Sequence, residues 1–242
     1  MRIKKPLHHL LCVCISINSI ILSSCTDNKN EVLEELDELI YKDPTQALAI
    51  ADSLTLQFVN ANRHDRALLA LLKYKAEDKC YIPHTSDSTI VAIHNYFEHH
   101  GSIHEKMETY YYMGRTYKDL GDNPLAISWF NQALSFAEST SLTRKDSLTL
   151  PFIHSQLAGI YDDIGLHQEP YKHIKKSFEI QKKQGIVAIK TYEDVAHCAE
   201  AADSINTATH FYRLCALEIV EQNKVPEHLD LLGGQLGFFT ET

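Results

Sequence analysis

The sequence predicts an all-α fold: a right-handed superhelix of about five stacked helix pairs. Three observations lead there. Apolar residues recur at helical spacing almost continuously from residue 31 to residue 222. No stretch shows the period-two alternation of a strand. One pattern of aromatic and small residues returns along the chain.

The helices are expected in order. Val32, Leu33, Leu36, Leu39 and Ile40 share one helical face. Asp43-Pro44 restarts a helix, with aspartate as cap and proline in the first turn. That helix carries Ala47, Leu48, Ala51 and Leu54. A third runs from about Arg63 to Cys80 on Ala67, Leu68, Leu71 and Leu72, followed by a loop from Tyr81 to Asp87 around Pro83. A fourth carries Ile90, Val91 and Phe97 and stops near Gly101. Ser102-Ile103-His104-Glu105 then has the spacing of a capping box.

The segment that follows is the most informative. Tyr110-x2-Met113-Gly114-x2-Tyr117 is followed by Leu120-Gly121 and by Ala126-x3-Phe130-x2-Ala133, with Asn123-Pro124 expected to cap and open the second helix. A second copy reads Leu157-Ala158-x2-Tyr161, Ile164-Gly165, then Pro170, Ile174 and Ser177. Its glycine falls 44 residues after Gly121, the added length lying in a polar connection between Ser139 and Thr149. A third copy reads Tyr192-x2-Val195-Ala196-x2-Ala199, then Ala208-x3-Tyr212-x2-Cys215. Ala47 and Ala92-x3-Tyr96 are expected at the small and aromatic positions of two degenerate N-terminal pairs. Gly114 and Ala126 are expected where paired helices approach closely.

These spacings resemble the tetratricopeptide repeat (TPR), whose pattern is W-x2-L-G-x2-Y and then A-x3-F over about 34 residues. The chain is similar to TPR lipoproteins of the Bacteroidetes, most visibly at residues 67–79, 86–89 and 110–130. The resemblance implies protein–protein interaction along the face formed by the first helix of each pair. That places candidate contact residues at Glu108, Tyr111, Tyr112, Arg115, Lys118 and Asp119 in the best repeat. Ser155, Gln156, Gly159, Asp162 and Asp163 follow in the next, and Glu193, Asp194, His197 and Glu200 in the last. Some relatives grip a C-terminal carboxylate with a Lys/Asn clamp; this face departs from that pattern and turns acidic toward its C-terminal end. Related arrays often continue into a transmembrane helix and a signalling segment, so this chain also reads as a shortened member of a signalling family.

The N-terminus adds an address. Arg2, Lys4 and Lys5 precede an apolar run from Leu10 to Leu22, shorter than the roughly 20 residues a membrane span needs. Leu22-Ser23-Ser24-Cys25 then resembles a lipobox, which implies cleavage after residue 24 and a lipid on Cys25. The expected organisation is a signal peptide over 1–24, a tether over 25–30, a repeat domain over 31–222 and a tail over 223–242. A lipid-anchored protein of the bacterial cell envelope is expected, with the outer membrane favoured over the inner.

Loss of residues 1–24 removes three basic side chains and no acidic one, leaving 20 against 32 and a net charge of −12. Such a balance argues against nucleic acid, whose binding relies on Lys and Arg at phosphates. Of six cysteines, Cys80, Cys198 and Cys215 would stay as thiols, an odd number without a CxxC spacing and no disulfide framework. No cofactor, metal or catalytic activity is expected. His94, His99, His100 and His104 cluster, but Gly101-Ser102 breaks the helix between the last two. Asp162 and Asp163 are helix neighbours that face apart. Gly233-Gly234-x2-Gly237 follows no strand. A glycan- or small-molecule-binding lipoprotein is the alternative, although one tryptophan, Trp129, makes a poor sugar platform.

Overall fold

A computed structural model describes residues 28–166, 168–222 and 224. The expected signal peptide, Cys25 and nearly all of the tail lie outside them. Among the described residues there are ten α-helices and no strand. None of these helices is long and apolar enough to cross a membrane. The described residues divide into two compact units, one ending at Ile82 and the other beginning at Pro83.

The first unit holds α1 (Asn28–Lys42), α2 (Pro44–Gln57), a 3-10 turn (Phe58–Asn60) and α3 (Arg63–Lys79). Helix α1 starts at Asn28, inside the segment expected to be a tether. Asp43 caps α2 through a 2.9 Å bond from Gln46 N, with Pro44 at the first position. Proline fits there because that N–H has no helical acceptor to lose. Leu33, Leu36 and Ile40 of α1 pack with Ala47, Ala51 and Leu54 of α2 and with Leu69, Leu72 and Ala76 of α3. Between α1 and α3, Lys75 is only 2% exposed. Its Nζ lies 2.6 Å from Asp37 Oδ1 and 4.8 Å from the centre of the Tyr41 ring.

The second unit holds α4 (Ser88–His100), α5 (Ile103–Asp119), α6 (Asn123–Glu138), a 3-10 turn (Asp146–Thr149), α7 (Leu150–Asp163), α8 (Gln168–Gln184), α9 (Ile189–Ala201) and α10 (Ile205–Glu221). The most extensive packing runs within the pairs α5/α6, α7/α8 and α9/α10. The second helices bury one register: Ala126, Phe130 and Ala133, then Pro170, Ile174 and Ser177, then Ala208, Tyr212 and Cys215. Pro170 sits in the first turn of α8, where a missing N–H breaks no helical bond. In α4 the expected register is one residue out. Ile93 and Phe97 are buried, Ala92 is exposed and Tyr96 half-buried, because Ile93 and Phe97 bury more apolar surface without a hydroxyl to satisfy.

The turn inside each of these pairs closes alike. Gly121 and Gly165 have φ of 77° and 76°, a left-handed conformation that glycine adopts without penalty. Asp122 N then donates to Tyr117 O at 2.8 Å and Leu166 N to Tyr161 O at 2.9 Å. In the last pair Asp203 takes this role at φ 57°, with Ser204 N donating to Ala199 O at 2.8 Å. Ser102 and Glu105 form the capping box on α5. The cap of α6 is Asp122, accepting from Leu125 N at 3.0 Å, and Asn123-Pro124 instead occupies the first turn.

The long connection before α7 is ordered. Thr143 N and Oγ1 both donate to Asp146 Oδ2, at 2.8 and 2.7 Å. Arg144 reaches Gln184 O at 2.9 Å, and the 3-10 turn packs on α5.

Candidate functional site

The first helices of the three pairs, α5, α7 and α9, bring the predicted contact residues onto related faces, but two classes of environment separate them. On α5, Glu108, Tyr111 and Tyr112 are buried, the tyrosines to 5% and 3% exposure. Tyr111 packs edge-on against Tyr112 at 5.0 Å and lies 6.0 Å from Phe130 and 6.4 Å from Phe152. These three therefore belong to the interior rather than to an open groove. Phe152 and the 3-10 turn provide the packing around this half of α5, which is why the added residues of the connection matter.

One turn further along, the face is polar. Arg115 Nη1 and Lys118 Nζ both donate to Gln156 Oε1, each at 3.0 Å, which ties α5 to α7. Arg115 is also 3.7 Å from Asp119 Oδ1, and Asp119 Oδ2 accepts from His84 N at 3.2 Å. Burial and then the neighbouring Arg115 hold the Lys118 ammonium below its usual pKa, while Asp163 and Asp119 oppose that shift.

Beyond this ladder lies a cleft of about 400 Å³ between α7 and α9. Gly159, Asp162, Asp194, His197 and Ala201 line it, with Cys198 and Ser155. A Cβ on Gly159 would stand 3.5 Å from Lys118 Nζ, so the cationic ladder borders the cleft. Five residues predicted from sequence, Ser155, Gly159, Asp162, Asp194 and His197, meet here. Gln156 belongs to the ladder instead, and Asp163 acts electrostatically on Lys118.

Glu193 and Asp194 share Lys190, at 3.0 and 2.8 Å. Burial still raises the Asp194 carboxyl above its ordinary pKa, against the pull of Lys190. The Cys198 thiol is pushed up to about 11, by burial first and then by Asp194 and Asp162. It stays protonated at neutral pH and is a poor nucleophile. Glu200 accepts from Tyr212 Oη at 2.9 Å, which takes it out of the groove set and links α9 to α10. The cleft thus sets the carboxylates of Asp162 and Asp194 beside His197 and a protonated Cys198.

The repeat residues serve packing. Met113, Gly114, Ala126, Phe130, Ala133, Ala158, Ala196, Ala208 and Tyr212 are buried. Tyr110 joins His94 and Trp129 in a cluster of rings 5.1 to 6.1 Å apart and donates to Glu98 at 3.3 Å. Tyr117 is half-buried and donates to Asp87 Oδ2 at 2.8 Å. Tyr161 stacks on His173 at 5.4 Å.

That last contact belongs to a pair that sequence reading passed over. His154 Nδ1 and His173 Nδ1 are 3.0 Å apart between α7 and α8. Burial, then His173 and Lys176, lowers His154 to about 4, and burial also lowers His173. The signal was present: His154-x2-Leu157-Ala158-x2-Tyr161 puts a histidine at the first aromatic position of the repeat.

No protein-family profile and no curated protein matches this sequence. Solved structures do. Nearly identical TPR-like repeats ascribed to a kinesin light chain of Podosopora anserina match with a TM-score of 0.54 at 12% identity, over 81% of this chain and 95% of that one. A substituted form of those repeats matches with 0.57 at 12% identity, over 83% and 100%. The MamA protein matches with 0.47 at 13% identity, over 82% and 96%. The chain has an all-α, TPR-like repeat fold.

Proposed function

We propose that this chain is a lipid-anchored interaction module of the bacterial cell envelope that binds a basic protein or peptide segment through the cleft between α7 and α9. The observation that carries the reading is the cleft itself. Small residues, Gly159, Ala158 and Ala201, open a volume of about 400 Å³ beside two carboxylates, Asp162 and Asp194. A carboxylate raised in pKa by burial gains from a cationic partner, which offsets its desolvation. The net negative charge of the whole chain favours the same class of partner and disfavours nucleic acid. Such attraction acts mainly on the association rate and weakens with salt.

The anchor reading rests on Leu22-Ser23-Ser24-Cys25 after a short apolar run. Lipid chains contribute about 0.8 kcal/mol per buried methylene, so a diacylglycerol group holds the protein without help from surface charge. Metabolic labelling with a tagged fatty acid tests it: Cys25→Ala is expected to lose the label, and label retained by that variant contradicts the assignment.

Partner binding is tested by comparing Asp162→Asn with Asp194→Asn and the double variant. Capture of protein partners in cross-linked cells is expected to drop while helicity is unchanged. Undiminished capture by the double variant removes the cleft as the site.

A further inference from the structure

Two corresponding ring positions recur in the last three helix pairs. Aligning the repeats on Gly114, Ala158 and Ala196, and on Ala126, Pro170 and Ala208, brings Tyr110, His154 and Tyr192 to one position and Trp129, His173 and Phe211 to the other. Tyr110 and Trp129 lie 6.1 Å apart, and Tyr192 and Phe211 both pack on Phe178, at 5.5 and 5.1 Å. Of these three repeats, the middle one alone has imidazoles at both positions. Its two Nδ1 atoms are 3.0 Å apart and its ring centres 5.3 Å, so the nitrogens face each other along the line joining the rings. Between neutral rings one Nδ1–H donates and the other Nδ1 accepts. Between two charged rings both are donors and no bond remains.

The pair adjoins the cleft between α7 and α9. His154 directly precedes Ser155 on α7 and His173 directly precedes Ile174 on α8, and Ser155 and Ile174 both line that cleft. Beside them the hydroxyls of Ser155 and Ser177 each donate to Pro151 O at 3.0 Å, a further tie between the two helices. The contact of α7 on α8 therefore sets the spacing of the cleft walls. The charged groups acting on the imidazoles come from α8. Lys176 opposes charge on His154; on His173, Glu169 favours charge and its ion-pair partner Lys172 opposes it. Tyr161 of α7 stacks on His173. Among the described residues, α6, α9 and the 3-10 turn, which also pack on these helices, add no charged group to those acting on the pair. Burial is the largest influence and disfavours charge on both rings, so protonation favours any arrangement in which they reach water.

We propose that the His154–His173 pair is a proton-operated latch between α7 and α8: the neutral pair holds the cleft in its binding shape, and protonation loosens it, so that a basic partner is held at neutral pH and released in acid. The latch rests on the reading of that cleft as the partner site. His154 is lowered to about 4, against about 6.5 for a hydrated histidine. At pH 5.5 the closed contact is therefore disfavoured about tenfold relative to one that hydrates this ring.

The test compares hydrogen exchange of the full-length chain at pH 7.5 and 5.5, corrected for the intrinsic exchange rate. Protection in α7 and α8 is expected to fall about tenfold at the lower pH. In His154→Tyr with His173→Phe, which installs the rings of the last repeat, the fall is expected to vanish; His154→Gln, a smaller change, is expected to reduce it. In a second arm fluorescent pentalysine, whose charge is constant over this range, reads the cleft by anisotropy. Its affinity is expected to fall several-fold from pH 7.5 to 5.5 in the unsubstituted chain and to change less in His154→Tyr with His173→Phe. No loss of protection in the unsubstituted chain, a loss that survives both kinds of substitution, or an affinity that falls equally in both chains overturns the latch and leaves the cleft reading standing. Pentalysine binding at pH 7.5 that Asp162→Asn with Asp194→Asn leaves undiminished overturns the cleft reading and the proposal with it.

Discussion

Gly114 of α5 lies directly against the ring of Phe130 on α6. A Cβ at residue 114 would come within 2.5 Å of Phe130 Cε1 and 2.6 Å of Cδ1. No side chain fits there unless the ring moves, and Phe130 is fully buried. Gly114→Ala is expected to destabilise the protein by about 1–3 kcal/mol, the usual range for overpacking. Phe130→Leu in the same chain should recover part of the loss. Chemical denaturation of the two single variants and the double variant measures the coupling. Additive effects would mean that the two positions do not share one space.

Lys75 and Asp37 give the first unit its own test. Removing one partner of a buried ion pair leaves the other desolvated and commonly costs about 3–5 kcal/mol. Asp37 retains 29% exposure, so Asp37→Ala is expected at the lower end of that range. Replacing Lys75 as well, by methionine, should restore stability, since the stem of the lysine already fills the space between α1 and α3. A double variant no better than Asp37→Ala alone contradicts this reading of the pair.

The histidine pair predicts a pH dependence. Unfolded histidine titrates near 6.5, whereas folded His154 is lowered to about 4 and His173 is lowered too. Between those values the unfolded chain binds more protons, so stability falls as pH falls. From pH 7.5 to 5, His154 alone should contribute a loss of about 2 kcal/mol by this linkage. His94, also lowered by burial, adds in the same direction. Thermal denaturation across this range checks the slope, which should flatten in His154→Gln. A slope unchanged by that substitution would mean that the pair is not its source.

Most of the fold was legible because its determinants are local. Asp43-Pro44, Ser102 with Glu105, and Gly121 and Gly165 each act within one turn, and their spacing is visible in the chain. Errors arose where tertiary packing chooses between adjacent residues. Ile93 and Phe97, rather than Ala92 and Tyr96, face the core of α4, a shift that helical periodicity alone does not resolve. The site was half legible for the same reason. Repeat spacing put Ser155, Gly159, Asp162, Asp194 and His197 on the helix faces that line the cleft, but it did not show that Tyr111 would pack against Phe130 and Phe152 with Tyr112 buried beside it. It also gave no hint that the connection before α7 would pack on α5. His154 and His173 are 19 residues apart and meet only through the antiparallel packing of α7 on α8.

Cys198 offers an independent probe of the cleft. With its thiol pushed up to about 11, it should resist iodoacetamide in the folded protein at pH 7.5. Asp162→Asn and Asp194→Asn together remove two of the negative charges that raise it, so the rate of modification should increase. No change on removing both carboxylates would place them too far away to shape this site.

The central claim is that a basic partner occupies the cleft beside Asp162 and Asp194. The most direct measurement places a photoreactive residue at His197, on the cleft wall, and separately at Ser135, on the outward side of α6. Both chains are irradiated in living cells. The account predicts a partner linked to position 197 and not to position 135, reduced when Asp162→Asn and Asp194→Asn are added. Equal linkage at both positions, or linkage at 197 that the double substitution leaves unchanged, would contradict it.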